Sequence, residues 1–203
     1  MVIMDDKKFW KGRWRGSFIL TPNPFAKRAY VLMKKKHVKR VLDLGCGDGR
    51  DSIYFARKGV AVEAFDFSES GIESLKKKNP SIKAHIGDIR KLPFKKNSFD
   101  AVYAHLSLHY FSDSETEKIF SKLHAVLKKG GLLFVKCKST DDLLFGKGKK
   151  VAENTYRSGH VRHFFTKDYM AKQLNTFKVL RLKKNSSSYA SSKSSFIEAI
   201  AQK

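Results

Sequence analysis

Short apolar runs alternate along most of this chain with longer stretches whose apolar residues recur at helical spacing. Residues 40–44 (Arg-Val-Leu-Asp-Leu) form a brief apolar run closed by glycines, the pattern of a buried strand. The same reading predicts a helix over 50–58 closed by Gly59, a strand over 60–65, and a helix over 70–78 that Ser68 caps and that must stop before Pro80. Strands follow over 82–86 and within 98–104. A helix capped by Ser112 or Asp113 is expected to run to residue 128, where Gly130-Gly131 ends it, and a fifth strand covers 132–136. Ahead of these elements lie an aromatic and basic arm, the stiff Thr21-Pro22-Asn23-Pro24 turn, and a helix over 25–36. After residue 142 the pattern loosens into loops at Gly146-Lys147-Gly148 and Ser158-Gly159, followed by a short helix to about 174 that Thr166 or Asp168 starts. Residues 177–182 and 196–201 predict two last strands. The serine-rich stretch 185–195 between them reads as a flexible hairpin loop.

Strand–helix alternation at this spacing predicts an α/β protein with a doubly wound, mostly parallel seven-stranded sheet, right-handed crossovers and an antiparallel C-terminal strand pair. A length of 203 residues suits one domain over 1–203: an arm and helix over 1–37, a core over 38–137, and further elements with the terminal hairpin over 138–203. No apolar run approaches the roughly 20 residues of a membrane helix, and residues 1–8 carry no apolar signal core, so a cytoplasmic protein without membrane contact is expected. Cys46 and Cys137 are too few and too scattered for a disulfide framework or a zinc site, so both read as free thiols and no metal is expected.

Charge adds one further expectation. The net charge is +23, and the excess sits in the flanks: residues 1–40 hold 12 Lys+Arg against 2 Asp+Glu, whereas residues 41–140 hold 17 against 12. Basic flanks could steer an anionic partner such as RNA or a phosphorylated metabolite. Much of the lysine also stands where helices end, which favours cations against the helix dipole.

The most informative string is Val41-Leu42-Asp43-Leu44-Gly45-Cys46-Gly47-Asp48-Gly49-Arg50, a buried strand running into a glycine-rich turn and then a helix. Glycines let the backbone approach a ligand closely at the carboxyl end of a strand. Arg50 stands where a dinucleotide fingerprint wants its third glycine, which argues against NAD or FAD.

This string resembles the signature of the class I S-adenosylmethionine-dependent methyltransferases, and the resemblance extends over about residues 38–137. Residues 49–52 (Gly-Arg-Asp-Ser) and the aromatic arm look like the stand-alone metabolite and tellurite-resistance-like members. The resemblance implies a Rossmann-like sheet, S-adenosylmethionine as cofactor with S-adenosylhomocysteine as product, and a small-molecule acceptor, with RNA as the alternative. It implies that Gly45, Cys46, Gly47 and Gly49 pass beneath the methionine and ribose, and that Asp43 orients the loop. Asp66 and Phe67 would meet the ribose, Asp88 and Ile89 the adenine, and His105 the methionine. His109 and Tyr110, just beyond, would face the acceptor and join His105 as candidate catalytic groups. Trp14, Tyr156, Arg162 and His163 would contribute to the acceptor pocket. Methyl transfer demands little acid–base chemistry, because alignment and desolvation dominate.

Overall fold

The computed structural model describes residue 10, residues 21–189 and residues 192–203, apart from the side chains of 188, 189, 192 and 193. The N-terminal arm, with the candidate Trp14, lies outside the described residues except for Trp10.

The chain forms α1 (Pro24–Lys35), β1 (Arg40–Leu44), α2 (Arg50–Arg57), β2 (Ala61–Asp66), α3 (Glu69–Lys78), β3 (Lys83–Ile86) and β4 (Phe99–His105). It continues with α4 (Asp113–Val126), β5 (Leu127–Lys138), β6 (Lys149–Ala152), β7 (Thr155–Ser158), β8 (His160–His163), α5 (Lys167–Gln173), β9 (Lys178–Tyr189) and β10 (Ser192–Gln202). Seven strands make one sheet in the order β3-β2-β1-β4-β5-β10-β9. The first five pair in parallel, and β10 runs antiparallel to both β5 and β9. The order reverses between β1 and β4, which is where an open α/β sheet leaves a crevice for a ligand.

Both faces of the sheet are covered because its strands are apolar on both sides. Val41, Val62, Ala101, Tyr103 and Phe134 pack against Phe25, Ala29 and Met33 of α1 and against Ile53, Phe55 and Leu75. Leu42, Leu44, Val102, Ala104, Leu133 and Val135 pack against Ile119, Phe120 and Leu123 of α4 and against Met170 and Leu174. Caps fix where the helices begin. The Asn23 side chain accepts from the Phe25 N–H with Pro24 following it, Ser68 from Gly71, and Thr166 from Tyr169.

The structure departs from expectation at three points. The α4 helix ends at Val126 rather than at 128, and Gly130-Gly131 lies within the assigned β5 strand. Around the expected glycine turns at 146–148 and 158–159 lies an element the sequence pattern does not predict, a small antiparallel sheet β6-β7-β8. Of the serine-rich stretch 185–195, residues 185–189 and 192–195 are strand and not loop. Their backbones continue the β9–β10 ladder, with Ser187 opposite Ser194 and Asn185 opposite Phe196. Ladder bonds are made by backbone groups, so polar side chains do not end them.

Candidate active site

The glycine turn after β1 is pinned from two sides. Gly45 has φ +75°, and a Cβ there would lie 2.2 Å from the Ser107 Cβ. Glycine alone meets both demands at this position. The Ser107 hydroxyl donates to the Leu44 carbonyl at 2.7 Å, and the Gly45 N–H donates to the Phe65 carbonyl at 2.7 Å. Leu106, directly after β4, sits in the left-handed region at φ 58°. That reversal brings Ser107 back onto the β1 loop, so the chain leaving β4 and the glycine turn form one wall.

Asp66, at the end of β2, is buried and accepts from the Gly47 N–H at 2.8 Å and the Ser68 N–H at 2.8 Å. Burial raises its pKa, opposed by those backbone N–H groups. Phe67 follows it, half-buried. Glu63, the other acid of β2, faces away, paired with Arg40 and with His85 at 3.1 Å. Asp43 is 3 % exposed and accepts from the Ser52 hydroxyl at 2.5 Å. Burial pushes its pKa up to about 7, against the bond from Ser52. Cys46 is half-buried, and burial pushes its thiol well up, so it stays protonated.

Asp88 caps the short 3₁₀ turn Ile89–Lys91, and both its oxygens are engaged by Arg90, which also reaches Glu115 at 2.8 Å. Ile89 is buried. The reading of Asp88 as an adenine acceptor therefore meets a competitor already in place.

Asp51 was not singled out by the sequence reading, yet it joins three elements. It accepts from the Asn23 N–H at 2.9 Å, the Arg50 Nε at 3.0 Å and the Tyr103 hydroxyl at 3.0 Å. Burial would raise its pKa, but Arg50, His105 and the bond from Asn23 hold it below the usual value. Its only advance sign is its place in the Gly-Arg-Asp-Ser string.

His105 closes β4. Its ring stacks on Tyr103 (6.2 Å, 4° between planes), and its buried Nε2 has no hydrogen-bond partner. Burial lowers its pKa to about 3, so the imidazole is neutral. Past Ser107, His109 is 1 % exposed and packs at 4.3 Å on Tyr110. Tyr110 lies 5.4 Å from His160 and 5.4 Å from Trp10. The His163 N–H donates to the His109 carbonyl at 2.9 Å, which docks the small sheet over the end of β4.

The structure brings His109, Tyr110, His160 and Arg162 together, since the His160 Nε2 is 2.7 Å from the Arg162 Nη2. Tyr156 stands opposite Arg162 in the ladder, with its ring against Phe145 and Phe164. His163 alternates to the other face of β8, packs on Phe165 and Tyr169, and lies 3.6 Å from Asp113. Its place is therefore at the start of α4 rather than beside Arg162. Among the described residues no group of three or more His, Cys, Asp or Glu could hold a metal ion. No helix among the described residues is long and apolar enough to cross a membrane.

Comparison with known proteins fits this geometry. Residues 41–131 match a family described as methyltransferase domain. An uncharacterized methyltransferase of Synechocystis is 34% identical over 94 residues, which is 46% of this chain and 44% of that protein. A demethylmenaquinone methyltransferase of Streptomyces avermitilis is 37% identical over 97 residues, 48% of this chain and 41% of that protein. The chain thus spans less than half the length of these two relatives. A solved S-adenosylmethionine-dependent methyltransferase structure from Methanosarcina mazei superposes with a TM-score of 0.71 at 21% identity, covering 81% of this chain and 92% of that one.

Proposed function

We propose, on the premise that the chain carries a class I S-adenosylmethionine-dependent methyltransferase domain, that the protein methylates a small molecule, residues 1–203 acting as one unit. The observation that carries the reading is the glycine turn after β1, packed on Ser107 at Gly45 and tied to Asp66 through the Gly47 N–H, at the point where the sheet order reverses. When bound, S-adenosylmethionine supplies a methyl group already activated by its sulfonium. In this reading the backbone of Gly45, Cys46, Gly47 and Gly49 lies beneath the cofactor, and Asp43 holds the loop against α2 through Ser52. Asp66 keeps oxygen lone pairs for the ribose hydroxyls beside Phe67. With Asp88 occupied by Arg90, the adenine edge falls to the Ile89 backbone N–H.

The neutral imidazole of His105 lines the methionine end, and His109 and Tyr110 face the acceptor. A buried imidazole of lowered pKa is a weak base, so the chain's contribution is positioning and exclusion of water. The small sheet docks through the His163 N–H onto the His109 carbonyl, beside the end of β4. The name of the Streptomyces relative points to a small-molecule acceptor for that protein, and this supports the same class here.

The basic flanks favour RNA as the second reading. The test incubates the protein with methyl-labelled cofactor and extract of the source organism. Label in the low-mass fraction supports the proposal; label in RNase-sensitive material replaces it with the second reading.

A further inference from the structure

We infer that the acceptor carries an anionic oxygen group, a carboxylate or a phosphate, which Arg162 holds beside His109. This rests on the methyl-transfer reading above. Arg162 has a buried Nε without a hydrogen-bond partner, and no carboxylate lies within ion-pair distance of its guanidinium among the described residues. Its Nη2 meets an imidazole nitrogen, Nε2 of His160, at 2.7 Å, and its Cζ lies 6.0 Å from the Phe164 ring centroid, so neither contact offers it an anionic oxygen. A guanidinium half-withdrawn from water in this way needs an acceptor, and its planar fork suits a carboxylate or phosphate.

The neighbouring His109 is 1 % exposed, and its Nδ1 also has no partner. After burial, the groups that most strongly disfavour its charged form are Arg162, Lys138, His160 and His105, with no carboxylate among them. Lys138 is matched by Asp142 at 2.7 Å, so Arg162 carries the charge that the pocket leaves uncompensated. The neutral imidazole of His109 can hydrogen-bond an anion's oxygen without adding charge. The Tyr110 ring contacts both Trp10 and His160, which places these aromatic side chains beside the His160–Arg162 pair.

The cofactor's own carboxylate is the rival occupant, and the experiment separates the two. Full-length protein is saturated with S-adenosylhomocysteine and titrated with inorganic phosphate and, separately, acetate. Imidazole nitrogen resonances of His109 and His160 are followed by NMR, and affinities by calorimetry. The inference expects saturable shifts at both histidines, an anion affinity at least ~10-fold weaker in Arg162→Gln, and partial recovery in Arg162→Lys, with S-adenosylhomocysteine affinity unchanged in both. The lysine variant, which keeps the charge, guards against a folding defect in the glutamine variant. Silence of His109 in protein that binds S-adenosylhomocysteine overturns the inference. So does a matching loss of S-adenosylhomocysteine affinity in Arg162→Gln, which would assign the arginine to the cofactor. Wild-type protein that does not bind S-adenosylhomocysteine removes the methyl-transfer reading itself, and the inference with it.

Discussion

At Gly45 the β1 turn packs so closely on Ser107 that there is no room for one added carbon. Gly45→Ala incurs ~1–2 kcal/mol for the left-handed backbone and adds the contact with Ser107. The expected result is a loss of S-adenosylhomocysteine affinity of at least ~10-fold with a lower Tm, read by calorimetry and thermal unfolding. The double variant Gly45→Ala/Ser107→Gly should recover only the steric part, because the φ strain stays; full recovery would show that backbone strain is irrelevant there. Asp43 offers a second test. Its folded pKa of about 7 exceeds the ordinary ~3.9, so the folded state binds the proton more tightly. The stability this contributes is complete below pH ~4 and is lost as pH rises through about 7, on the order of 4 kcal/mol at most. Asp43→Asn removes that titration, so denaturant unfolding between pH 4 and 8 should give a flatter profile than wild type. An equally steep profile would mean that other carboxylates set it. The glycines and Asp43 were legible because they form one contiguous string. Ser107 was not, since its partner carbonyl lies 63 residues away and nothing in Leu-Ser-Leu-His marks the bond.

Among the elements, α4 shows how one side chain joins a helix start to the neighbouring turn. Glu115 accepts from the Ser112 N–H at 3.1 Å and the Ser112 hydroxyl at 2.9 Å, and it receives Arg90 at 2.8 Å. Glu115→Ala therefore removes the capping box and frees one arm of Arg90. A destabilisation of about 1–2 kcal/mol is expected, with faster hydrogen exchange at the first turn of α4. Exchange that rises uniformly over the molecule would instead indicate global destabilisation without local fraying. The helix starts were readable because caps are local chemistry: Ser68 stands where the sequence places it, and of the pairs Ser112 or Asp113 and Thr166 or Asp168 the first residue is the cap in each. The strands built from polar residues were hidden for the opposite reason. Ser186, Ser187, Ser194 and Ser195 have no apolar alternation to display, yet their backbones pair across β9 and β10. The β6-β7-β8 sheet is likewise rich in polar and charged residues, and it carries Arg162, so the least legible part of the fold holds the residue proposed to meet the acceptor.

For the molecule as a whole, the net charge of +23 sets a stability term that no single contact reveals. Like charges spread over the surface repel one another in the compact state and relax when the chain expands. Added salt shortens the screening length from ~30 Å at 0.01 M to ~3 Å at 1 M and weakens that repulsion. Salt also weakens exposed ion pairs such as Lys172–Glu117, but such pairs contribute little. The more buried links, Lys138–Asp142 and Lys136–Glu198, are screened far less. The sign of the sum follows: Tm should rise with potassium chloride, a salt that screens without strong exclusion from the protein surface. The same titration bears on the flanks. RNA held by them should dissociate steeply with salt. Methylation of a small acceptor docked on the half-buried Arg162 should change much less. A Tm that falls with salt would mean that the ion pairs outweigh the repulsion. A methylation rate that falls in step with RNA affinity would tie catalysis to the basic flanks and favour the nucleic-acid reading over the small molecule.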